Sequence, residues 1–115
     1  MATSVLFIAW NRPLPGSEER AYGYLFNEGL PYLRSAEGQA FERYELIGLT
    51  AHRSDLNACI ILFGERQKLD ELRRSDAFEA FAVSMNGLFD RFGVVPGVNE
   101  AGIRAAMARR TAAKA

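Results

Sequence analysis

Two short runs of this sequence are apolar at every position, and they limit its fold more than any other feature. They are Val5-Leu6-Phe7-Ile8-Ala9-Trp10 and Ala58-Cys59-Ile60-Ile61-Leu62-Phe63. Both are β-branched, aromatic and aliphatic, without the three-and-four spacing of a helix, so both read as strands. Side chains alternate across a strand, so each run is apolar on both faces. Strands of that kind belong at the centre of a sheet that is covered on both sides.

The segments between and after them supply the remaining elements. Turn residues Asn11-Arg12-Pro13-Leu14-Pro15-Gly16 close the first strand, and Ser17 is placed to cap a helix whose first turn carries Glu18 and Glu19. Tyr22, Leu25, Phe26 and Leu33 share a face of that helix, and Gly29 with Pro31 predicts a break or kink in it. Phe41 to Thr50 alternates like a second strand, and Asn57 to Gly64 makes the third. Residues 51–56 form a connector of hairpin length, which predicts antiparallel pairing. Phe78, Phe81, Met85, Leu88 and Phe92 step by three and four, the clearest helical stripe in the chain. Asp76 with Glu79 predicts its capping box, Leu69 to Arg74 a preceding helical turn, and Gly93 its stop. Val94 to Val98 is a last strand that Pro96 confines to an edge. Asn99 then caps a helix over Glu100 to Ala112.

This order, β-α-β-β-α-β with a C-terminal helix, is the α+β ferredoxin-like layout, an antiparallel sheet in which the first and third strands are central. Residues 1–98 form that domain, and residues 99–115 an alanine-rich basic helix or tail. Two helices cover only one sheet face, so a homodimer through the other face is expected.

The 115 residues suit a single domain that needs no disulfide or metal staple. Fourteen Lys and Arg balance fourteen Asp and Glu, which leaves no field to attract nucleic acid or an anionic membrane. No apolar run approaches bilayer length, and no secretory leader is recognisable. With Cys59 as the one cysteine, a reducing, cytoplasmic location is expected. One histidine and one cysteine cannot furnish a typical metal site, and Gly93 to Gly97 lacks the lysine and spacing of a phosphate loop. No cofactor is expected.

Four residues are candidates for a pocket. Asn11 follows the first strand, where its amide can meet a ligand oxygen or simply turn the chain. Trp10 beside it offers a stacking surface. His52, the one side chain that titrates near neutral pH, is the available general base, or else a solvated loop residue. Tyr44 can move a proton or reach solvent from the core. Cys59, among aliphatics, is structural.

Several segments carry a resemblance: Trp10-Asn11-Arg12 at the end of the first strand, Gly16-Ser17 at the helix start, and Phe63-Gly64-Glu65 leading into Leu72-Arg73-Arg74-Ser75-Asp76-Ala77-Phe78. Over residues 4–95 the chain resembles the dimeric α+β barrel superfamily, which includes antibiotic-biosynthesis-type and haem-degrading monooxygenases. The resemblance implies a dimer and a small-molecule pocket, and matches Asn11 to an asparagine of the haem-degrading members. Their tryptophan and axial histidine fall here at Glu71 and Ala82, so the resemblance does not extend to haem chemistry. Two functions stay open. One is a cofactor-independent monooxygenase or isomerase acting on an apolar or aromatic compound, and the other is a non-catalytic ligand carrier or interaction module.

Overall fold

In the computed structural model, which describes residues 2–50 and 55–114, both apolar runs are central strands. β1 (Ser4–Trp10) pairs with β3 (Ala58–Gly64), β2 (Arg43–Gly48) lies outside β3, and β4 (Gly93–Val98) lies outside β1. The order is β2-β3-β1-β4, and every pairing is antiparallel. Pro96 sits on an edge strand, where its missing donor breaks no ladder on the solvent side. The connectivity is βαββαβ, followed by a C-terminal helix.

Register decides which side chains meet the helices. Leu6 opposes Leu62, Ile8 opposes Ile60, and Trp10 opposes Ala58. Leu6, Ile8, Trp10, Ile60 and Leu62 lie beneath the helical layer at no more than 2% exposure. That layer is α1 (Glu18–Tyr24), a π-helical turn (Leu25–Gly29), α2 (Leu30–Ala36), α3 (Arg66–Arg73) and α4 (Asp76–Leu88). Leu25, Leu33, Phe78, Phe81 and Met85 fill the space between the layers. Phe81 is the hub, its ring 5.5 Å from Phe78, 5.8 Å from Tyr32 and 6.5 Å from Tyr24.

Four local expectations are corrected. The irregularity expected at Gly29 and Pro31 takes the form of a widened turn rather than a break. Leu30 N–H donates to Leu25 O, five residues back, and Pro31 lies in the first turn of α2. The wide turn lets Gly29 lie against Phe81, whose Cε1 would be 3.1 Å from any Cβ there. The cap of α4 is Ser75, not an Asp76–Glu79 box: its Oγ accepts from Phe78 N–H and donates to Leu72 O. Ser17 stands at the start of α1 without a side-chain capping bond. Finally, α4 stops at Leu88 and Gly93 opens β4, because residues 88–90 are drawn into a short ladder with residues 11–14. Leu14 N–H donates to Leu88 O, Asn11 N–H to Asp90 O, and Asp90 N–H to Arg12 O. The post-strand segment is therefore extended before it turns at Gly16 (φ 79°).

α5 (Glu100–Lys114) begins where Asn99 Oδ1 accepts from Gly102 N–H at 2.9 Å, as its capping role predicts. Asn99 also donates through Nδ2 to Ala2 O, which ties the helix base to the chain start.

Phe81→Ala should destabilise the protein by about 3–5 kcal/mol, because it empties the hub of the helix layer. Urea denaturation followed by circular dichroism measures this, and a change below about 1 kcal/mol would mean the ring is dispensable.

Candidate functional site

Among the described residues α1 to α4 lie on one face of the sheet and leave the other without a helical layer. Its rows follow from the register: Gly97-Val5-Phe63-Arg43, Val95-Phe7-Ile61-Glu45 and Gly93-Ala9-Cys59-Ile47. Four strands about 4.8 Å apart and about 23 Å long give this face roughly 400 Å² in projection. Its two charges lie together on β2. Arg43 pairs with Glu45 at 3.4 Å, and its guanidinium lies 3.9 Å above the Phe63 ring, so even this pair sits against apolar surface.

The face is uneven. Two rows carry Val5, Phe63, Phe7, Ile61 and Val95, while the third offers only Gly93, Ala9 and Cys59 before Ile47. Any flat surface laid against it leaves a hollow over the small row. Burial pushes the Cys59 thiol above its ordinary value, so it remains a protonated, apolar wall.

The small row runs along the end of the sheet where the chain leaves β1, and polar side chains gather there. Asn11 Nδ2 donates to Asp90 Oδ2 at 3.2 Å. Arg91 reaches Asp90 at 3.8 Å and Asp55 at 3.1 Å. Arg91 is also the one non-glycine among the described residues with positive φ, at 52°. That conformation is uncommon for a side chain of this size, and here it turns the chain from Asp90 into β4 while aiming a cation between two carboxylates. The chain therefore sets a row of small apolar residues beside a rim of one amide, two carboxylates and one guanidinium.

Of the four residues singled out in the sequence, Asn11 is on this rim. Trp10 is 2% exposed and faces the helices, its ring 5.3 Å from Phe89. Tyr44 lies on the helix side of β2, opposite Leu62, where its hydroxyl accepts from Arg34 Nε at 2.9 Å. That places it four residues along the strand from the rim end, about 13 Å away. His52 lies outside the described residues. The rim residues that sequence reasoning missed are Asp55, Asp90 and Arg91. Asp90 is 79 positions from Asn11, and no local pattern joins them.

The helix side of the sheet is filled rather than hollow. Glu71 is exposed on α3, and Ala82 is half-buried on α4 against the core. Burial raises the Tyr24 and Tyr32 hydroxyls above the ordinary tyrosine value, so at neutral pH they are protonated rather than basic. Among the described residues no three His, Cys, Asp or Glu are grouped to hold a metal ion, and no helix is long and apolar enough to cross a membrane. A cavity of about 230 Å³ at the β4 edge, between Ser4, Leu69 and Val98, is smaller than most ligand pockets and lies at the opposite end of the sheet from the rim.

No protein-family model matches this sequence, and no curated protein matches it significantly. Solved structures match in fold. An ethyl tert-butyl ether D (EthD) family protein from Bacillus halodurans C-125 superposes with a TM-score of 0.64 at 15% identity, covering 84% of this chain and 97% of that one. A conserved protein from Methanosarcina mazei Go1 matches with a TM-score of 0.57 at 11% identity, covering 84% and 91%. The likeness is one of fold, and it agrees with the α+β architecture expected from the sequence.

Two outcomes test this description. Asn11→Ala should cost about 0.5–1.5 kcal/mol, since it removes one hydrogen bond to Asp90 while the backbone ladder of residues 11–14 remains. A cost above about 3 kcal/mol in thermal or urea unfolding would mean that the amide holds far more than Asp90. Stability should also fall as pH rises above about 10. Tyr24 and Tyr32 ionise later in the folded chain than their ordinary 10.0, so their contribution is intact below that pH and lost through the raised values. Tyrosine absorbance and ellipticity, followed together in an alkaline titration, check the order of events.

Proposed function

We propose that this protein is a homodimeric small-molecule-binding α+β barrel, in which two copies set their uncovered sheet faces together and enclose an apolar ligand. The observation that carries the proposal is the outer sheet face, apolar along β1, β3 and β4 and without a helical layer among the described residues. A second copy supplies the matching apolar surface, and a closed two-fold pair leaves no face uncovered. The hollow over Gly93, Ala9 and Cys59 gives a ligand room, and the rim of Asn11, Asp90, Arg91 and Asp55 gives it a few polar partners. An apolar cavity with a small number of fixed polar groups is the usual form of a ligand site.

The ligand class that suits this space is small and mostly apolar, with one or two oxygen acceptors. The Bacillus halodurans protein of the same fold belongs to a family whose name carries that of ethyl tert-butyl ether, a molecule of that class. Carriage and catalysis differ in what the rim does. A carrier needs only the Asn11 amide and Arg91 to hold an oxygen. A cofactor-independent oxygenase or isomerase also needs a base, which Asp90 at the hollow's edge, or His52, would supply. The packed helix side favours the space between the copies as the site in either case.

The wild-type chain should sediment as a dimer at micromolar concentration, and Phe63→Asp should sediment as a folded monomer. Saturation-transfer NMR with ethyl tert-butyl ether and with a naphthalene-type aromatic should show binding to the dimer and none to the Phe63→Asp monomer. A monomeric wild type overturns the assembly. Equal binding by dimer and monomer overturns the placement of the ligand.

A further inference from the structure

α5 leaves the body of the protein as an arm. Its base is fixed at Gly102, where a Cβ would fall 2.5 Å from Thr3 O and 2.7 Å from Val98 Cβ, so no side chain fits there. Within its own chain it packs chiefly against β4, and the molecule measures 57 Å by 34 Å by 19 Å. Ile103 is 50% exposed and Met107 62% exposed, one turn apart, with Arg110 exposed on the same stripe in the next turn. The helix is alanine-rich, so it is well formed in advance and gives up little freedom when it docks.

Charge divides along the same boundary. Residues 1–98 hold ten Arg and Lys against thirteen Asp and Glu, and residues 99–115 hold four against one. The arm is cationic and the body anionic by equal amounts.

The body also presents a surface that this arm fits. The outward side of α4 carries Glu79, Val83 and Gly87 at four-residue spacing, and Val83 is 67% exposed. Beside it a groove of about 600 Å³ runs between α4 and α1, with Gly23 and Gly87 open at its floor. Laid antiparallel, Ile103 meets Gly87, Met107 meets Val83, and Arg110 meets Glu79. The matched spans are about 10 Å on α5 and about 12 Å on α4, well within the reach of an arginine side chain. The glycines let two helices approach closely, and the order apolar-to-basic on one matches apolar-to-acidic on the other.

We infer that α5 of one copy docks antiparallel on the outward face of α4 in a second copy. The docking works in trans because the Asn99 cap and Gly102 fix the arm to residues 2–3 and 98 of its own chain, and its chief packing there is against β4. Exchanged reciprocally, two arms close a two-fold pair. This contact does not use the outer sheet face, so it stands or falls separately from the sheet-to-sheet assembly.

The test mixes full-length chains carrying Met107→Cys with full-length chains carrying Val83→Cys and oxidises them. The expected product is a between-chain disulfide joining positions 107 and 83, identified by peptide mapping. Adding Glu79→Arg to the Val83→Cys chain should lower its yield about fivefold, the scale of an exposed ion pair, and adding Arg110→Glu to the other chain should restore it. No such disulfide in the mixture, or a yield indifferent to both charge reversals, overturns the inference. A chain carrying both cysteines that links only within itself overturns it too, by placing the arm on its own α4. Phe63→Asp in both chains leaves the disulfide unchanged if the two contacts are independent, and its loss there would tie the arm to the sheet interface and overturn their separation.

Discussion

A sheet whose central strands are apolar on both faces needs two covers, and the helices of one chain supply only one. The rest of the structure depends on that imbalance. α1, α2, α3 and α4 close over Leu6, Ile8, Trp10, Ile60 and Leu62 and leave no room for a ligand between them. Val5, Phe7, Ile61 and Phe63 are left on the far side. Apolar surface of this extent is unfavourable in water at about 25 cal/mol per Å², so it acts as a standing demand for a partner. On the same face the large side chains Phe and Ile give way to Gly93, Ala9 and Cys59 at one end.

The polar rim exists because of how the helical layer ends. Phe89 leaves α4 in extended conformation and packs on Trp10, and the following residues are zipped to residues 11–14. That ladder brings Asp90 to Asn11 and obliges Arg91 to turn with positive φ toward β4. One packing decision, Phe89 on Trp10, thus places an amide, a carboxylate and a guanidinium at the open end of the sheet.

The architecture was legible because strands and helices announce themselves through periodicity. The two-faced runs gave away the central strands, Pro96 the edge, Asn99 the last cap, and the Phe78–Met85 stripe the main helix. What escaped reading depended on contacts between distant segments. The π-helical turn reflects Gly29 meeting Phe81, and nothing within residues 25–31 records that neighbour. The early stop of α4 reflects a ladder to residues 11–14, and Gly93 only resembles a helix stop. The rim was half visible: Asn11 stood out beside the strand, whereas Asp55, Asp90 and Arg91 look like ordinary surface charges until the fold brings them together. Trp10 and Tyr44 stood out for their chemistry, but the strand's alternation turns both toward the helices.

The central claim is that the outer sheet face is covered by a second copy. Val95 reads it directly, because it lies on that face and is 56% exposed in the single chain. A cysteine introduced there, in a Cys59→Ser background, can be timed in its reaction with a maleimide across a dilution series. The account predicts slow labelling at high protein concentration and fast labelling once dilution separates the copies. Fast labelling at every concentration would contradict it.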